Sequence, residues 1–123
     1  MMITLPGEPR TKKNSQRIVY KNGKPIVLPS KQYKEYREIC IWRIPAHQKA
    51  HISEAVNMQC VYYMRTTRKV DLVNLIEATC DILVDAGVLA DDNSNIIVGH
   101  DGSRVCYDKL DPRAEITITK VGK

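Results

Sequence analysis

The chain has 123 residues, a formal charge of +5 and 43% apolar residues. That size and composition fit one globular domain and exclude a wholly disordered chain. No apolar run approaches the roughly 18 residues of a membrane span, and MMITLPGEPR lacks the basic-then-apolar pattern of a secretory leader, so a cytoplasmic protein with no membrane partner is expected.

Met2–Leu5 reads as a first strand, ended by Pro6, Gly7 and Pro9. A basic loop, Arg10–Ser15, follows. Arg17–Tyr20 and Pro25–Leu28 flank Asn22-Gly23, a pair that accepts positive φ, which predicts a β-hairpin. Ser30 is placed to cap a helix in which Tyr33, Tyr36, Cys40 and Ile44 recur at helical spacing, and Pro45 ends it. Residues 46–53 read as loop. Val56, Met58, Cys60, Tyr62 and Met64 alternate with Asn57, Gln59, Val61 and Tyr63, which predicts a strand. Leu72, Leu75, Ile76, Thr79, Ile82 and Leu83 line one face of a second helix, and Gly87 stops it. Asp91–Asn95 is a loop of turn formers, Ile96–Gly99 a short strand, His100–Pro112 polar and aperiodic, and Ala114–Lys120 a closing strand. The order predicts an α/β (α+β) fold: a single domain over residues 1–123, with a mixed β-sheet and two main helices packed on it. Cys40, Cys60, Cys80 and Cys106 are widely spaced and read as buried thiols. Trp42 is expected in the core or at a dimer contact.

The charge is unevenly spread. Arg10, Lys12, Lys13, Arg17, Lys21 and Lys24 crowd the start with no acid after Glu8. The segment Asp71–Asp92 holds Asp71, Glu77, Asp81, Asp85, Asp91 and Asp92 with no Lys or Arg. Carboxylates suit a hard cation such as Mg²⁺, which activates water and offsets charge developing on phosphate. By residue type alone, Asp71 also reads as a helix cap and Asp91–Asn95 as a solvated turn. A shared site in one chain further requires the segment after Gly87 to fold back toward the helix start, because one helix separates the two ends. The basic pI, about 9.1, suggests an anionic partner, with phosphate contacts from Lys12, Lys13, Asn14, Arg17, Arg65, Arg68 and Lys69.

The run VDLVNLIEATCDILVDAGVLADD resembles the central motif of the RusA family of Holliday junction resolvases, small phage-type endodeoxyribonucleases. The match falls on Asp71, Leu72, Asn74, Leu75, Asp81, Gly87, Asp91 and Asp92. A strand ending in Pro, the loop TKKNSQR, the start Ser30-x-x-Tyr33 and the closing EITIT also fit. The resemblance implies a homodimer that binds four-way DNA junctions and cuts two strands with Mg²⁺, or Mn²⁺ in its place. Asp71, Asp92 and Asp91 are then the metal ligands, and Arg68 and Lys69 orient the phosphate. Two positions depart from the pattern. The second motif Asp is Val73, and the Lys one turn later is Glu77. Glu77 is one turn from Val73 and leans toward the helix start, so it is a candidate replacement among the catalytic residues. The alternative is an impaired, non-enzymatic junction- or DNA-binding protein.

Overall fold

The computed structural model describes residues 1–12, 17–28 and 30–122. The elements are β1 (Met2–Pro6), β2 (Arg17–Lys21), β3 (Lys24–Leu28), α1 (Lys31–Arg43), β4 (Val56–Met64), α2 (Leu72–Asp85), β5 (Ile97–Gly99), β6 (Arg104–Tyr107) and β7 (Arg113–Lys120). The expected mixed sheet with two helices is present. β7 lies antiparallel between β1 and β4, with Ile116 opposite both Ile3 and Cys60. β5 and β6 share the other edge of β4 and run parallel to it.

Local chemistry accounts for the boundaries. The Ser30 hydroxyl accepts from the Tyr33 amide at 3.0 Å, capping α1. Asn22 and Gly23 take φ of 54° and 76°, closing the β2–β3 hairpin as a sheet of its own. α2 ends before Gly87, whose φ of 83° suits a residue without Cβ. Inward side chains of the sheet, among them Ile3, Leu5, Met58, Cys60, Tyr62, Ala114 and Ile116, meet Tyr36 and Cys40 of α1 and Leu75, Ile82 and Leu83 of α2. Fully burying one such aliphatic side chain stabilises by about 1.5–3 kcal/mol. One polar tie crosses this core: the Tyr62 hydroxyl lies 2.6 Å from Thr79 Oγ1, which in turn donates to the Leu75 carbonyl.

Two expectations change. His100–Pro112 contains a strand, β6, whose residues are largely exposed on both faces and therefore carry no alternation. Between β5 and β6 the ladder on β4 is completed by side chains. The His100 ring meets the Met58 carbonyl at 2.9 Å, and the Cys60 amide donates to Ser103 Oγ at 2.9 Å. Trp42 is 82% exposed in the single chain and packs in no core. Cys40, Cys60 and Cys80 are buried free thiols, as expected, and Cys106 is half-buried. No helix among the described residues is long and apolar enough to cross a membrane.

Candidate active site and nucleic-acid interface

β4 delivers the chain through Arg65–Val70 to Asp71, the N-cap of α2. Asp71 Oδ1 accepts from the amides of Val73 at 3.0 Å and Asn74 at 3.4 Å. Both bonds fall on one oxygen. The carboxylate also sits at the positive end of the helix dipole. Val73, two residues on, is 70% exposed. Glu77 continues this exposed side, within electrostatic reach of Tyr33 and Cys80.

Asp91 and Asp92 are held elsewhere. After α2, Ile52 bridges Leu89, and Ala90 donates to the Ile52 carbonyl, just ahead of β4. Asn93 then accepts from the amides of Ile96 and Ile97, and Ile97 pairs with Val56, the first residue of β4. The acidic loop is thus fixed at the start of β4, whereas Asp71 follows its end. The cause is the parallel pairing: a parallel neighbour brings its preceding loop to the same end at which its partner begins. Asp92 does reach the electrostatic surroundings of Cys80. Cys80 is still about 13 Å of helix rise from Asp71. The chain therefore does not make the fold-back that a single-chain site requires. Among the described residues, no three His, Cys, Asp or Glu side chains gather closely enough to hold a metal ion.

The three aspartates also differ chemically. Asp91 builds its own turn: Oδ1 accepts from the Asp92 amide at 2.8 Å and Oδ2 from Asn93 Nδ2 at 3.1 Å. These bonds, the amide of Asp92 first, hold its carboxyl below the usual range. Asp92 is exposed beside it. Asp81 and Asp85 are ion-paired, with Lys12 and Arg37 respectively. The donors thus suit a hard cation in type, but one chain places them apart, as two candidate half-sites, Asp71 and Asp91–Asp92.

The basic residues frame Asp71. A cleft of about 480 Å³ is lined by Arg10, Ser30, Gln32, Thr66, Arg68 and Lys69, together with Glu8, which lies 3.9 Å from Arg10. It continues past Thr11 and Lys69 into a second hollow of about 570 Å³ that reaches Asp71 and Asn74. Arg65, Arg68 and Lys69 are exposed, and the Arg65 amide donates to Glu8 Oε2 at 2.8 Å. A polyanionic strand lying along this groove would meet cations before it met Asp71. Lys12 stands differently from the expectation, because its ammonium is paired with Asp81. Lys13 and Asn14, and the side chain of Arg17, expected on phosphates, lie outside the described residues. Sequence reasoning passed over Arg10, Ser30 and Gln32 as groove residues. Only the packing of the chain before α1 against the β4–α2 connection brings them beside Arg68.

No individual curated protein matches the chain. The family model described as Endodeoxyribonuclease RusA matches residues 6–119. That span takes in both half-sites, the basic groove and every strand but part of the first and last. The chain belongs to the RusA endodeoxyribonuclease family.

Proposed function

We propose that this protein is a Holliday junction resolvase: a Mg²⁺-dependent endonuclease, with Mn²⁺ as a substitute, that cuts branched DNA as a homodimer. The observation that supports it best is a carboxylate at the end of a basic groove, in a chain matched to the family over residues 6–119. The separation of Asp71 from Asp91–Asp92 within one chain supports a dimer. Two chains with α2 helices antiparallel about a two-fold axis would set Asp71 of one chain against Asp91–Asp92 of the other, twice. Asp71 and Asp92 would hold the cation, with Asp91 ordering the loop and Glu77 alongside. When bound there, the ion would make a water easier to deprotonate to the hydroxide that attacks phosphorus and would offset charge on the phosphate oxygens. Arg68 and Lys69 orient the scissile phosphate, and Arg65 and Arg10 hold the flanking backbone.

The test is incubation of the protein with a four-way junction in Mg²⁺ and in EDTA. Paired cuts in Mg²⁺ alone, leaving 5′-phosphate and 3′-hydroxyl ends, are expected. Binding in both buffers with cutting in neither would establish the second reading, a junction-binding protein without catalysis. That reading is favoured by one observation: Val73 occupies an exposed position beside Asp71 where the family pattern has a carboxylate.

A further inference from the structure

The β2–β3 hairpin forms a two-stranded sheet of its own and, among the described residues, pairs with no strand of the main sheet. Its register sets Tyr20 opposite Pro25 and Ile18 opposite Val27. Side chains alternate along a strand, so these four share one face. The face is open to solvent: Ile18 is 63% exposed, Tyr20 75% and Val27 58%. Pro25 is exposed as well. A contiguous apolar plate of this kind, on an element only two strands wide, marks a contact surface.

Its frame identifies the occupant. Lys21 and Lys24 pair beside the turn, on the face opposite Tyr20 and Pro25, and both are exposed; their long stems can bring the ammonium groups round to the rim of the plate. Every charged residue from Arg10 through Lys34 is a Lys or Arg. Two copies of the plate, face to face, would bring like charges together. A polyanion that also offers flat apolar surfaces fits both the plate and its rim. In continuous duplex those surfaces are covered by stacking, and exposing them is costly. Where the arms of a branched DNA meet, stacking is interrupted and base faces are accessible.

We propose that this hairpin is the branch-sensing element. Tyr20 stacks on the base pair at the meeting point of the arms, Ile18, Pro25 and Val27 cover its edge, and Lys21 and Lys24 contact the neighbouring phosphates. The inference rests on the reading of branched DNA as substrate. It assigns discrimination between branched and linear DNA to an element that holds none of the carboxylates.

The experiment measures binding in EDTA, where nothing is cut, to a four-way junction and to linear duplex of the same arm sequence. A 2-aminopurine at the branch point reports stacking. Tyr20→Ala is expected to weaken junction binding about ten-fold, leave duplex binding unchanged, and abolish the 2-aminopurine response. Tyr20→Phe is expected to retain all three properties. Lys21→Ala/Lys24→Ala is expected to weaken both DNAs alike and flatten the salt dependence. Circular dichroism and sedimentation of each variant report fold and oligomeric state. Equal loss on both DNAs for Tyr20→Ala, or no loss on either, overturns the proposal. So does a Tyr20→Ala chain that changes its oligomeric state, because the plate is then a contact between copies. A wild-type chain that binds neither DNA overturns this proposal and the substrate reading together. Branch-selective binding that depends on Tyr20, without cutting in Mg²⁺, supports the proposal and overturns only the endonuclease reading.

Discussion

Asp71 Oδ1 accepts from the amides of Val73 and Asn74, so a ligand at this position would also be a helix cap. Substitution separates the two roles. Asn caps about as well as Asp, so Asp71→Asn should melt like the wild type and lose junction cleavage at least about 100-fold. Asp71→Ala should lose the same activity and about 1 kcal/mol of stability as well, a melting shift of several degrees. Asp71→Asn with full cleavage in a Mg²⁺ assay would remove Asp71 from the site. Val73 is the converse case. Being 70% exposed, it should accept Asp with little cost to the fold, and Val73→Asp is expected to raise Mg²⁺-dependent cleavage. Glu77→Ala tests the replacement directly: cleavage equal to wild type would exclude Glu77 from catalysis. The thiols give a pH prediction. Burial pushes Cys40 and Cys60 from 9.0 up to about 11, and Cys80 up to about 12. Above pH 9 the unfolded chain releases these protons while the fold retains them. Urea midpoints should therefore fall steadily from pH 9 toward 11.

At the level of elements, α2 and β4 are joined by Tyr62, Thr79 and the Leu75 carbonyl. Thr79→Val strands a buried phenol and should cost about 1–3 kcal/mol. Adding Tyr62→Phe should recover part of that loss in a double-mutant cycle read by urea denaturation. The elements that sequence periodicity located best are those with one side buried more deeply than the other. The alternation of β4 marks Val56–Met64, and α2 follows from its apolar stripe and the stop at Gly87. β6 was illegible because no face of Arg104–Tyr107 is fully buried, and its pairing partner Val61–Met64 is far away in sequence. The candidate ligands were legible as residue types, but their separation was not. Nothing in VDLVNLIEATCDILVDAGVLADD reveals that β5 joins β4 in parallel, and that choice decides the end at which Asp91 and Asp92 lie.

For the whole molecule, separated half-sites make a dimer prediction that a single-chain site would not. Asp71→Asn and Asp92→Asn chains should each be inactive alone. Mixed and allowed to exchange, they should form heterodimers with one intact site and one doubly altered site. The expected product is junction nicked on one strand, without paired cuts, seen on denaturing gels. Mixtures that stay silent would exclude sites shared between chains. In such an assembly α2 would act as a gauge. Its 14 residues span about 21 Å, and that length would set the distance between the two scissors of the pair. Lengthening it by a turn would leave the hydrophobic core a local problem to absorb, yet it would pull both blades out of alignment at once. The most ordinary helix of the fold would then be the part least free to change its length.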